Sequence, residues 1–458
     1  MAIATTNPTT GVTEKTFEPH TAAEVERRIT AAQSAFVELK STSYTQRGQW
    51  MRAAADLLEA EVDATARMLT VEMGKPIGQS EAEVLKCAKN MRFYADEAEG
   101  FLAEEKLADP SAVNASSAWT RYEPLGVVLA VMPWNYPLWQ VIRFAAPALM
   151  AGNTGLLKHA SNVPQSALYL DTLFKRAGFP AGAFTTLLIG SAEVKAVLED
   201  RRVKAVTLTG SEPAGRSVAA TAGAQIKKAV LELGGSDPFL VMPSADVDAA
   251  ATMAVKARIS NNGQSCIAGK RFIVHTDVYD EFARVLSQKM AALVVGDPLD
   301  PATEVGPIAT ESGLSDLAEL VDDAVAKGAE VLAGGSAPEG PGFYYSPTVL
   351  AGLTDDMRIV MEETFGPVAS LYRAADRADA LAIANQTTFG LSSAVWTQDS
   401  EEEEWFTRDL DAGAVFINGM TVSYPELPFG GIKHSGYGRE LAAAGIREFC
   451  NLKTVWKS

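Results

Sequence analysis

The chain has little cysteine, little positive charge and no long apolar run, and each shortage removes a class of function. Three cysteines, Cys87, Cys266 and Cys450, stand far apart in 458 residues without any C-x-x-C spacing, so neither a disulfide framework nor a zinc knuckle is expected, and no metal site. Lys and Arg number 40 against 57 Asp and Glu, a net charge of -17, and no basic cluster offers a footprint for a phosphate backbone. Nucleic acid and anionic membrane are therefore not expected as partners. No segment approaches the ~18 uninterrupted apolar residues of a membrane span, and Met1 to Pro8 carries no basic region followed by an apolar run. The expectation is a soluble, cytoplasmic protein. Internal repeats and low-complexity linkers are absent too.

What is present is enough apolar material for more than one core, since a chain this long exceeds what a single core usually supports. From Ala22 to Glu105 the periodicity predicts helices over Val25 to Leu39, Gly48 to Met73 and Glu81 to Glu105. From Tyr122 short branched apolar runs alternate with amphipathic stretches. Gly126 to Met132, Gly155 to Leu157, Thr185 to Ile189 and Ala205 to Leu208 read as strands of a parallel α/β sheet. After Gly234-Gly235 a second series predicts strands over Phe239 to Met242, Arg271 to His275, Glu330 to Leu332, Ser393 to Trp396 and Val415 to Ile417. A helix is expected over Val278 to Val294, and the acidic run Asp399 to Glu404 reads as a solvated helix start.

Cys266 closes the polar run Asn262-Gly263-Gln264-Ser265, between a predicted helix and a predicted strand. A thiol attacks only as its thiolate, and its ordinary pKa of about 8.5 leaves little of that form at neutral pH. Upstream, Glu232 is enclosed by apolar residues and glycines in Val230-Leu231-Glu232-Leu233-Gly234-Gly235, and Asn135 supplies an amide between Pro133 and Pro137. Thiol, carboxylate and amide together make nucleophile, base and oxyanion donor. Taken singly, each has a plain alternative: a small buried apolar residue, a partner for a buried cation, a turn residue.

Five motifs stand together in order and spacing: Pro133-Trp134-Asn135-Tyr136-Pro137, Leu231-Glu232-Leu233-Gly234-Gly235, Gly263-Gln264-Ser265-Cys266, Glu362-Glu363-Thr364-Phe365-Gly366-Pro367 and Pro428-Phe429-Gly430-Gly431. In these the chain resembles the aldehyde dehydrogenase superfamily from about Asn7 to Trp456, and within it the succinate-semialdehyde dehydrogenases. The resemblance implies that Cys266 is the nucleophile, that Asn135 and the Cys266 backbone N–H form the oxyanion hole, and that Glu232 activates the deacylating water. It implies thiolate addition and hydride transfer to a nicotinamide, then hydrolysis of a thioester. Two rivals stay open, a relative that ends with CoA attack and a non-catalytic protein with this fold.

The dinucleotide fingerprint G-x-G-x-x-G is missing. The resemblance places the pyrophosphate instead at a strand-to-helix junction holding Gly210 and Ser211, and the adenosine ribose on Lys158. It places Trp134, Leu233, Glu363 and Phe365 around the cofactor. Ser161 stands three residues after Lys158, where NAD-preferring members often carry a glutamate that repels a 2′-phosphate; a serine removes the repulsion, so NADP is favoured while NAD stays open.

Arg143 is the only charge in the apolar segment Leu138 to Met150, and a buried guanidinium requires an anion. One reading is a fixed ion pair with a protein carboxylate. The other, carried by resemblance, is the far carboxylate of succinate semialdehyde, helped by Ser423. Ser260 stands where some relatives have a second arginine, and Ala268 where some have a second cysteine. Tyr136, Trp139 and Phe429 are placed along the aldehyde tunnel. The implied fold is α/β: a Rossmann-like cofactor domain (1–106 and 125–233), an α/β catalytic domain (234–432) and a small β oligomerisation flap (107–124 with 433–458). A homodimer or a dimer of dimers is expected.

Overall fold

Strands that are apolar on both faces must be covered on both faces, and this requirement organises the molecule. The computed structural model describes residues 2–458. In the Val127–Met132 strand, Val127, Val128, Leu129 and Ala130 are all fully buried. It lies inside a six-stranded sheet ordered Gly436–Tyr437, Lys228–Glu232, Val203–Thr209, Val127–Met132, Thr154–His159, Phe184–Thr186. All neighbours are parallel except the two-residue Gly436–Tyr437 strand, which runs antiparallel beside Leu231 and Glu232. From Val127–Met132 the chain moves outward on one side, then crosses to Val203–Thr209 on the other. The connections diverge there, which opens a crevice at the carboxyl ends of those two strands.

A seven-stranded sheet is ordered Glu330–Ala333, Thr348–Ala351, Val368–Ala374, Gly269–His275, Asp237–Val241, Ser393–Trp396, Val415–Ile417, antiparallel only between the first two. Leu233 to Ser236 joins the carboxyl end of Lys228–Glu232 directly to the amino end of Asp237–Val241. So short a connection sets the amino end of one sheet against the crevice of the other, and Cys266, just before Gly269–His275, falls at that seam. A third sheet pairs Cys450–Lys457 with Ser117–Pro124, and the latter with Glu105–Lys106.

The long Ile77–Phe101 helix buries Ser80, Glu83, Val84, Cys87, Ala88, Asn90 and Met91 at helical spacing and packs on Tyr44–Ala60 and Trp139–Ala151. Among the described residues no helix is long and apolar enough to cross a membrane.

Several expectations are corrected. Gly48 to Met73 is two helices, Tyr44–Ala60 and Val62–Met73, broken at Glu61 (φ -108, ψ 18), because the apolar period runs through the break without marking it. The opening segment also contains a hairpin of Ile3–Asn7 and Val12–Phe17. Thr185 to Ile189 narrows to Phe184–Thr186. Thr348–Ala351 and Val368–Ala374 were not foreseen, since short buried strands show no alternation. The acidic run begins the Ser400–Asp409 helix as expected: Asp399 caps it, accepting from the N–H groups of Glu401 (2.8 Å) and Glu402 (3.3 Å).

Candidate active site

A nucleophile is useful only where the chain holds it rigidly against the carbonyl it attacks. Three successive left-handed residues, Asn261 (φ 56), Asn262 (φ 57) and Gly263 (φ 76), turn the backbone sharply ahead of Cys266. Asparagine tolerates this conformation because its amide finds local partners. Asn261 Nδ2 donates to the carbonyls of Asn135 (2.8 Å) and Gln264 (2.9 Å), and Asn262 Nδ2 to those of Gly74 (2.8 Å) and Pro307 (3.0 Å). At Gly263 any Cβ would overlap the Gly366 carbonyl. Buried Arg258 donates to Gly263 O (2.6 Å), and buried Lys270 donates both to Cys266 O (2.8 Å) and to Glu363 Oε1 (2.8 Å).

Two cavities meet at the half-buried thiol. One, of about 230 Å³, is lined by Lys86, Tyr136, Trp139, Arg143, Ser423 and Phe429 among others. The other, of about 240 Å³, is lined by Trp134, Asn135, Gly210, Ser211, Leu233, Glu363 and Phe365 among others. Cys266 is the one residue lining both. Asn135 sits at the seam, its Nδ2 donating to Gln264 O (3.1 Å) and its Oδ1 accepting from the Tyr136 N–H (3.1 Å). One bond leaves the second N–H of the amide for another acceptor.

The second cavity suits a dinucleotide. It opens at the crevice between Val127–Met132 and Val203–Thr209, and the Glu212–Ala224 helix starts there without a side-chain cap at Ser211. Uncapped first-turn N–H groups favour phosphate. Thr209 Oγ1 is buried beside them without a hydrogen-bond partner among the described residues. Glu363 Oε1 also accepts from the Gly235 N–H (3.2 Å), and Phe365 meets Trp134 edge-on at 5.7 Å.

The aldehyde dehydrogenase family model matches residues 1–455. The chain belongs to the aldehyde dehydrogenase family. A succinate-semialdehyde dehydrogenase (NADP+) of Mycobacterium avium (strain 104) is 62% identical over 457 residues, covering 100% of this chain and 97% of that one. A relative of the same name from Mycobacterium ulcerans (strain Agy99) is also 62% identical, with 100% of both chains covered. Among solved structures, succinic semialdehyde dehydrogenase from Streptococcus pyogenes in complex with NADP+ superimposes with a TM-score of 0.96 at 36% identity, covering 99% of each chain.

In this aldehyde dehydrogenase most residues singled out from the sequence converge, and some do not. Tyr136, Trp139, Phe429 and Ser423 share the first cavity with Arg143, but the Arg143 charge is not free: its guanidinium contacts the buried Glu440 carboxylate and stacks over Phe429, 4.6 Å from the ring centre. Of the two readings of Arg143, the protein carboxylate is the partner found; Glu440, distant in sequence, carried no signal. Lys158 and Ser161 line neither large cavity. They lie at the carboxyl end of Thr154–His159, one strand beyond Val127–Met132. Glu232 also lines neither, because its carboxyl is buried and Oε1 lacks a partner. Sequence reasoning missed Lys86 and Lys270, although Lys86 falls three residues after Glu83 on the inward stripe of its helix.

Burial dominates the electrostatics. It pushes the Cys266 thiol up to about 12, against the opposing charges of Lys270 and Arg143. Burial, reinforced by Glu440 and opposed by Arg143, holds the Glu232 carboxyl well above the usual carboxylate range. Arg143 is thus the shared counter-charge of thiol and both acids.

Proposed function

We propose that this protein oxidises succinate semialdehyde to succinate with NADP, the activity its relatives' names carry. The observation that supports this most directly is the position of Cys266 as the common wall of the cavity that holds Arg143 and Ser423 and of the one that opens at the crevice of the six-stranded sheet. Cys266, its thiol proton passed to solvent, attacks the aldehyde carbon as the thiolate; a C–S bond forms, and the carbonyl electron pair moves to oxygen, where Asn135 Nδ2 and the Cys266 N–H donate to it. A nicotinamide held beside Glu363 and Phe365 would supply the acceptor for the hydride on that carbon. Water then attacks the thioester, Glu232 takes its proton, and the thiolate departs. For that task Glu232 must rotate from its buried position and ionise, which Arg143 beside it favours.

Gly210, Ser211, Leu233, Trp134, Glu363 and Phe365 would hold the pyrophosphate and nicotinamide half, with Lys158 and Ser161 at the adenosine ribose. A neutral Ser161 beside a cation favours the 2′-phosphate of NADP. We assign 1–106 and 125–233 to cofactor binding, 234–432 to catalysis, and 107–124 with 433–458 to assembly of a dimer or dimer of dimers in the cytoplasm.

Initial rates decide the matter. Succinate semialdehyde with NADP is expected to give the highest kcat/KM against butanal and against NAD, and Cys266→Ala to abolish turnover. Equal rates for charged and uncharged aldehydes, or activity without Cys266, contradict the proposal.

A further inference from the structure

Asn135 is held from two sides, and only one of them is the nucleophile turn. In front, its Nδ2 donates to Gln264 O (3.1 Å) and its backbone carbonyl accepts from Asn261 Nδ2 (2.8 Å). Behind it begins the Trp139–Ala151 helix, and Leu138 at the capping position has no side-chain acceptor for the first N–H groups. Glu83, carried in by the Ile77–Phe101 helix, takes that place: its Oε1 accepts from the N–H groups of Leu138 (2.8 Å) and Trp139 (2.9 Å). A carboxylate there also meets the positive end of the helix dipole. Its other oxygen pairs with fully buried Lys75, whose Nζ rests 4.1 Å from the Tyr136 ring centre. The pair thus touches Tyr136, Leu138 and Trp139, and the Tyr136 N–H in turn donates to Asn135 Oδ1 (3.1 Å).

We infer that Glu83, neutralised by Lys75, is a positioning residue of the oxyanion hole: it pins the chain just after Asn135, so that the free N–H of the Asn135 amide stays directed at the oxygen of an aldehyde on Cys266. A buried ion pair stabilises a fold little better than apolar residues of the same volume, so what this one adds is direction. Without the Glu83 acceptor, two N–H groups on buried Leu138 and Trp139 are left unsatisfied, and the segment shifts to find others. A small shift is enough, because an oxyanion donor works only at roughly 2.7–3.1 Å from the oxygen. The loss then falls on the transition state, where the charge develops. This rests on the reading of Asn135 as the oxyanion donor.

The test is a cycle of variants of the full-length enzyme, turned over with succinate semialdehyde and NADP, in which Lys75→Met is always present so that no charge is buried alone. Lys75→Met/Glu83→Gln keeps an acceptor for the two N–H groups, and Lys75→Met/Glu83→Leu does not. The leucine variant is expected to show a kcat about tenfold to a hundredfold below the glutamine variant at similar KM, short of the roughly 100- to 1,000-fold cost of losing an oxyanion donor outright. Lys75→Met/Glu83→Asn, its acceptor drawn back by one methylene, gives the same comparison if the leucine variant does not fold. Each is then combined with Asn135→Ala. There the difference should vanish, because a residue that acts through Asn135 has nothing left to position. Equal kcat with and without the acceptor, or a difference that survives intact beside Asn135→Ala, overturns the inference while leaving Asn135 its role. Asn135→Ala with wild-type kcat overturns both.

Discussion

Cys266 is at rest a poor nucleophile, because burial outweighs the cations around it and holds its thiol near 12. An acid whose pKa is raised stays protonated over a wider range, so the thiolate fraction is small at pH 7 and grows about tenfold per pH unit until the pKa is reached. Iodoacetamide modification of Cys266 in the cofactor-free enzyme should follow that slope between pH 7 and 9, read by peptide mass. Lys270→Met removes the largest opposing charge and should slow modification at every pH. A rate already level at pH 7 would show that the thiol is ionised at rest. Arg143 teaches a related point: a lone arginine in an apolar helix announces that an anion exists, but only the fold says whose. Glu440, nearly three hundred positions away, is that anion.

The turn at Asn261 to Gly263 is the element on which the site depends. Its three left-handed residues cost little because two asparagines and one glycine occupy them, and their amides tie the turn to Gly74, Asn135 and Pro307. Gly263→Ala should add about 1–3 kcal/mol of backbone strain alone, before the clash with the Gly366 carbonyl is relieved. The expected result is a lower thermal midpoint together with a loss of kcat, measured by scanning calorimetry and initial rates. A variant with wild-type values of both would mean that the loop has room to shift. The Ile77–Phe101 helix has a different role: its inward stripe carries Glu83 and Lys86 to the cavity of about 230 Å³ while its apolar residues pack on Trp139–Ala151.

Across the whole molecule, two sheets joined by Leu233 to Ser236 set the carboxyl ends of one against the amino ends of the other, and the cavities follow from that seam. At Gly235 a side chain would come within 2.6 Å of Cys266 O, so the joint can be this tight only without one. The Cys450–Lys457 strand pairs on one side only and leaves Leu452 (55% exposed) and Trp456 (51% exposed) in the open. An unpaired edge with exposed apolar residues invites a second copy. Replacing Leu452 and Trp456 together by Asp should halve the mass of the assembly or reduce it further in sedimentation, without touching either cavity. A wild type that sediments as a monomer would refute the proposed assembly.

The sequence by itself determined the family and the catalytic vocabulary. Five short motifs with fixed residue types carry Cys266, Asn135, Glu232, Glu363 and Phe365, and their chemistry is local to each motif. The apolar strand runs also revealed two α/β layers, since buried strands such as Val127–Met132 and Ser393–Trp396 must be apolar on both faces. Only the tertiary structure decided the partners. Lys86 with Ser423, Arg143 with Glu440 and Lys270 with Glu363 each join residues from separate elements, and such pairs leave no period or spacing to read. Charge balance in a cavity is a sum over everything that lines it, and that sum exists only once the chain has folded.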